Sequence, residues 1–257
     1  MIRLEELTKR YGGFTAVHPM DLHVRRGELF GFLGPNGAGK TTTIRMIAGV
    51  LRPTAGRIRI GGHDIVADPI AAKRKIGYIP DRPFVYEKLT GAEFLRFVSG
   101  LWGQDDAESE ARAAELLELF ELTRWKDTLV ESYSHGMRQK LLISSALVHR
   151  PELIVVDEPM VGLDPKAARL IKDLLRAFAD QGGTVFLSTH TLEVAEALCD
   201  RIAILAEGRI RAIGTMDELR GQAEAGAAGL EEIFLKLTGG EAVAELIASL
   251  RPVPAGA

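Results

Sequence analysis

Cysteine is almost missing from this 257-residue chain. Cys199 stands alone, which excludes an internal disulfide framework and a cysteine-rich zinc site. A dominant charge is missing too: 32 Lys and Arg face 35 Asp and Glu, a net charge of −3. No basic excess therefore draws the chain to nucleic acid in bulk. Long apolar runs are absent, since none approaches the ~18 consecutive apolar residues of a membrane span. Shorter ones, such as 153–156, suit buried strands. The first ten residues are charged from Arg3 onward and hold no apolar stretch like that of a secretory signal. Any membrane role is thus expected to run through a partner. What the chain does have is a globular composition, 46% hydrophobic and 26% charged, enough for a sizeable core.

The hydrophobic pattern divides the chain. Met20, Leu22 and Val24 alternate with polar residues as in a half-buried strand, and 29–33 is a short apolar run leading into a glycine-rich stretch. After Lys40 a helical pattern carries Ile44, Ile47 and Ala48 on one face as far as about Gly49. Strands are expected at 57–60 and 75–80. From Thr90 to about Arg150 the pattern is helical, with Leu116, Leu117 and Phe120 sharing a face and a helix starting near Gly136 and ending before Pro151. The remainder alternates again. Strands are expected at 153–156 and 184–188, helices at 165–179 and 191–199, and a hairpin at 202–213 around Glu207 and Gly208. Strands alternating with helices imply a mainly parallel sheet covered on both faces, with the helical middle inserted into it. Two short helices, 230–237 and 243–250, are expected in the tail.

The chemistry is carried by few residues. Gly34, Pro35, Asn36, Gly37, Ala38, Gly39, Lys40 and Thr41 fit the phosphate-binding pattern G-x-x-x-x-G-K-[ST], between an apolar strand and a helix that continues with Thr42. Glycines let the backbone amides turn inward around a polyphosphate, and the helix N-terminus adds its positive end. Lys40 would bring a point charge to the β- and γ-phosphates, and the Thr41 hydroxyl would ligate Mg²⁺. Asp157 and Glu158 close an apolar strand, at the end where open parallel sheets bind ligands. Asp157 would hold Mg²⁺ through a water, and Glu158 would polarise the attacking water as a general base. Tyr11 offers a face for a purine or is a turn tyrosine. His190 either donates to a γ-phosphate or simply starts a helix. Asp164 before Pro165 is a helix N-cap with proline at N1, whatever else it does.

This order of elements resembles the nucleotide-binding subunit of ATP-binding cassette (ABC) transporters over about residues 1–220. The discriminating stretch is 133–140, where Ser134, His135, Gly136 and Met137 stand at the family's signature motif, His135 replacing the usual glycine and Met137 the usual glutamine. The resemblance implies a P-loop NTPase (RecA-like) α/β core with an N-terminal antiparallel β part and an inserted helical subdomain. The core would comprise 1–85 and 151–220, the helical subdomain about 86–150, and the tail 221–257. It further implies that Tyr11 stacks on adenine and that His190 holds the γ-phosphate. Ser134, His135, Gly136 and Asp164 would contact the ATP bound to an opposing subunit. Asp81 stands where the family has the glutamine of its Q-loop. It would ligate Mg²⁺ or serve only the turn into Pro83.

Residues 81–91 and 230–238 resemble subunits of bacterial two-component exporters, in which a separate permease supplies the membrane helices. The expected protein is then an ATPase with ATP and Mg²⁺ as cofactors, dimeric with itself or a second ABC ATPase, and cytoplasmic on the inner membrane face. Phe84, Tyr86, Phe94 and Phe97 are expected mostly in the core of the helical insertion, one or two of them facing the permease. A soluble ABC ATPase acting on ribosomes or DNA is the competing class. Such proteins usually carry two cassettes or a long coiled coil, and this chain has one cassette and no heptad run. No nucleic acid is expected as partner.

Overall fold

The computed structural model describes residues 1–82, 84–104, 107–223 and 229–238. Two sheets organise them. The first is antiparallel, in the order β2 (Phe14–Val24), β1 (Ile2–Tyr11), β4 (Ala55–Ile60), β5 (His63–Asp64). The second has six strands. From one edge run β10 (Arg209–Gly214), β9 (Arg201–Ala206), β3 (Leu29–Leu33), β8 (Thr184–Ser188), β7 (Leu153–Asp157) and β6 (Ile76–Ile79). Within it only the β9–β10 hairpin is antiparallel.

The second sheet is covered on both faces, which is why its strands read as unbroken apolar runs. Side chains alternate along β7: Leu153 and Val155 join the cluster containing Phe30, Phe32, Ile44 and Phe186. Ile154 and Val156 join the opposite cluster, with Leu141, Phe120 and Ile171. On the first side lie α1 (Lys40–Ile47) and the antiparallel sheet, and α2 (Pro69–Lys73) precedes β6. On the second side α6 (Pro165–Asp180) packs through Ile171 and Leu175.

Between β6 and β7 the chain makes α3 (Gly91–Leu101), α4 (Ala107–Leu119) and α5 (His135–Leu147). The helical stretch expected from Thr90 onward is thus three helices separated by irregular chain and two short 3-10 turns. A capping box starts α3: the Thr90 hydroxyl accepts from the Glu93 amide at 3.2 Å, and the Glu93 carboxylate accepts from the Thr90 amide at 2.8 Å. Beyond β8 follow α7 (Leu192–Leu198), α8 (Met216–Gln222) and α9 (Leu230–Thr238). α9 is the first of the two expected tail helices. The second, 243–250, lies outside the described residues. α8 was not expected, and it straddles the boundary drawn at residue 220.

The structure corrects the expectation for the aromatic residues near the insertion. Phe94 is buried, but Phe84, Tyr86 and Phe97 are exposed, Phe84 by 80%. They pack on one another at the surface, with Tyr86 meeting Phe97 edge to face at 5.3 Å. Phe84 and Tyr86 sit on an irregular segment that enters no helix, so no helix face draws them inward.

Candidate functional site

The phosphate loop is built by the turn from β3 into α1. Gly39, the residue before α1, has φ of 99°, and a Cβ there would stand 2.6 Å from the Ala16 carbonyl oxygen. Only glycine fits so close an approach in a left-handed conformation. The loop leans on the β9–β10 turn, where the Gly208 amide donates to the Ala38 carbonyl at 3.0 Å. At the first turn of α1 the Thr43 hydroxyl donates to the Gly39 carbonyl. The Lys40 ammonium lies in the loop mouth, donating to the Gly34 carbonyl at 2.6 Å and to that of Pro35 at 3.1 Å. Burial pushes the Lys40 pKa down, against the pull of Glu158 and then Asp157. This loop and the two carboxylates therefore share one electrostatic neighbourhood.

Asp157 ends β7 and pairs in register with Ser188 at the end of β8. Its carboxylate is 1% exposed, and burial pushes its pKa up against the nearby Ser188 and Thr41 hydroxyls; the charge of Asp81 adds to the rise. Among the described residues neither Asp157 Oδ2 nor the Ser188 hydroxyl has a hydrogen-bond partner. A buried oxygen left unpaired beside Thr41 is chemically suited to a hard cation. Such ions use one or two carboxylates plus phosphate oxygens rather than a protein cage. Among the described residues no three His, Cys, Asp or Glu side chains are grouped so that they could hold a metal ion by themselves.

Glu158 follows with φ of 52°, a left-handed conformation that costs a non-glycine residue about 1–2 kcal/mol. Its carboxylate meets His190 Nδ1 at 2.8 Å. Sequence reasoning assigned Glu158 to the attacking water and His190 to the γ-phosphate but missed that they would touch each other. His190 precedes Thr191, the residue before α7, so it also satisfies the helix-start alternative. Also missed was Ser188, whose signal was its position at the same strand end as Thr189 and His190.

The other expected residues lie on separate elements. Tyr11 ends β1, about half exposed, with Lys9 Nζ 5.1 Å from its ring centroid. Asp81 is exposed just beyond β6, close enough to Asp157 for its charge to be felt there. Ser134 caps α5 by accepting from the Met137 amide at 3.3 Å, and Ser134 and His135 are exposed at the start of this 13-residue helix. The helix start presents free amides and the positive end of a dipole to solvent. Asp164 caps α6 by accepting from the Ala167 amide at 2.9 Å, and that bond holds its carboxyl below the usual range.

A family model described as ABC transporter matches residues 17–161. The daunorubicin/doxorubicin resistance ATP-binding protein DrrA of Streptomyces peucetius is 44% identical over 85% of this chain and 66% of its own length. The Nod factor export ATP-binding protein I of Ralstonia nicotianae is 39% identical over 85% of this chain and 68% of its own. The chain thus spans about two thirds of the length of these relatives. Among solved structures, an ATP-binding subunit of an ABC transporter superimposes with a TM-score of 0.88 at 36% identity, covering 92% of this chain and 99% of that one. A dimeric ATP-binding cassette in a post-hydrolysis state, bound to ADP and Pi, gives 0.77 at 28% identity, covering 84% and 99%.

Proposed function

The chain belongs to the ABC transporter family of ATP-binding proteins, and from that premise we propose that it is the ATPase that drives a separate membrane permease, in the direction of export. Two copies, or one copy and a related ATPase, close around two ATP molecules and reopen after hydrolysis. Each triphosphate sits in residues 34–42 of one subunit, its γ-phosphate facing Ser134, His135, Gly136 and Asp164 of the other. The observation that carries this reading is the arrangement at the end of β7. Glu158 is held by His190 and lies in the field of Lys40, beside a buried and incompletely bonded Asp157.

The residues divide the work. Tyr11 stacks on the adenine, Lys40 exchanges its two carbonyl partners for β- and γ-phosphate oxygens, and the loop amides neutralise the rest of the charge. Glu158 accepts a proton from water as the water oxygen bonds to the γ-phosphorus. The bond from that phosphorus to the β–γ bridging oxygen breaks, leaving ADP and phosphate. His190 fixes the Glu158 carboxylate beforehand and then turns to the γ-phosphate. Thr41 and Asp157 would hold Mg²⁺, which spreads charge from the phosphate oxygens when bound. Asp81, exposed at a turn, is left to that turn.

We assign residues 1–220 to the ATPase unit, with α3 to α5 as its helical part, and 221–257 to an appended tail. The exposed cluster of Phe84, Tyr86 and Phe97 suits an amphipathic helix of the permease, since exposed aromatic patches of this kind mark interaction sites. No described helix is long and apolar enough to cross a membrane. The proposed location on the inner membrane face therefore rests on that docking. The relatives named above are a drug-resistance and an export protein, and they do not favour the ribosome or DNA alternative.

Replacing Glu158 with Gln tests the assignment. Removing the base while keeping shape lowers steady-state ATP turnover by roughly a hundredfold or more, with ATP binding retained. Turnover near that of the parent protein would remove Glu158 from the role of base.

A further inference from the structure

The residue that departs from the family pattern at the signature, His135, touches the loop that follows the catalytic strand. A Cβ built on Gly162 would stand 3.0 Å from His135 Nε2 and 3.1 Å from its Cδ2. Gly162 has φ of 75°, so a side chain there would be strained by the backbone and crowded by the imidazole. The two segments meet again one residue further along each: a Cβ on Gly136 would lie 3.8 Å from Leu163 Cδ2. The loop is short and internally tied. The Val161 amide donates to the Glu158 carbonyl and the Leu163 amide to that of Met160, both at 3.3 Å. Asp164 then fixes the far end as the cap of α6. One stretch of seven residues thus has Glu158 at its start, Asp164 at its end and the His135 contact between them.

We propose that His135 is a positioning residue that couples the two nucleotide sites of the closed pair, its imidazole transmitting the position of the α5 start to Gly162 and through the loop to Glu158. The inference rests on the two-subunit reading given above. In that arrangement the α5 start grips the ATP of the opposing subunit, while Glu158 works on the ATP of its own. Glycine at position 135 could grip a phosphate through its amide but would leave Gly162 without this contact. The imidazole adds a rigid body between the two sites.

Five proteins test the proposal: the parent, His135→Gly, His135→Gln, Gly162→Ala and the double variant of His135→Gly with Gly162→Ala. Each is measured for ATP turnover against ATP concentration, and for ATP-driven dimerisation in a Glu158→Gln background. Thermal melting first establishes that each is folded. His135→Gly should lower the Hill coefficient toward one and reduce kcat by about fivefold. His135→Gln, which refills part of the space, should recover some of the loss. Gly162→Ala should be impaired as well, because the added methyl crowds the imidazole, and adding His135→Gly to it should cost less than His135→Gly costs alone, because it removes the ring that the methyl meets. Additive losses overturn the proposal, as does unchanged cooperativity in a His135→Gly protein whose Glu158→Gln form still dimerises. A Glu158→Gln protein that never dimerises with ATP removes the two-subunit reading and the coupling with it.

Discussion

Asp157 sets a functional requirement against stability within a single side chain. It is an acid buried at the end of β7 with one oxygen unpaired among the described residues, and its burial disfavours the charged form. Asp157→Asn should therefore leave the nucleotide-free protein as stable as the parent or more so in thermal melts, while raising the Mg²⁺ needed for half-maximal turnover by about tenfold or more. Asp81→Ala should change that requirement by less than about threefold, since Asp81 is exposed and acts on the site only through its charge. An Asp81 effect as large as that of Asp157 would return Asp81 to the set of metal ligands. As candidates these residues were legible in the sequence because phosphate and cation chemistry demands particular side chains at fixed spacing. The touch between His190 and Glu158 was not, because it depends on β7 and β8 being neighbours and on the left-handed turn at Glu158.

His149, just past α5, ties three elements together. Its Nε2 meets the Ile76 carbonyl on β6 at 3.0 Å, and its ring stacks on Trp102 at the end of α3, centroids 4.3 Å apart. Burial pushes its pKa below the ordinary 6.5, with the Ile76 bond opposing in smaller measure. The unfolded chain therefore takes up a proton near that value that the folded chain binds only at lower pH. The stability is whole above about pH 6.5 and falls as the pH drops through it. His149→Phe keeps the stack without the titration. The fall in melting temperature between about pH 7.5 and 5.5 should be smaller in the variant than in the parent, and equal falls would show that His149 contributes nothing to it. The elements themselves were legible where one period held throughout, as in β3, β7 and β8. β1 was not recognised as a strand. Its buried apolar side chains are Ile2 and Leu4, then Leu7, because the register shifts between Leu4 and Leu7 and Glu6 takes a φ of 49°. That bulge breaks the alternation a strand is read from. Phe84, Tyr86 and Phe97 were misjudged for another reason: composition does not separate an apolar residue that enters a core from one left at the surface.

At the scale of the whole molecule, the proposed site is divided. The phosphate loop, Asp157 and Glu158 share one neighbourhood, while Ser134 and Asp164 begin helices on the other side of the sheet and present capped, polar ends to solvent. Such a division makes sense if the missing half of each site comes from another subunit. A cassette of the same fold is dimeric in its post-hydrolysis state, bound to ADP and Pi. The most direct measurement is light scattering of the Glu158→Gln protein with and without Mg²⁺ and ATP, run beside the turnover of the parent at rising protein concentration. The account predicts a monomer that doubles its mass on adding nucleotide, and a turnover per chain that rises with concentration. A chain that stays monomeric with ATP bound and hydrolyses it at an undiminished rate on dilution would contradict it.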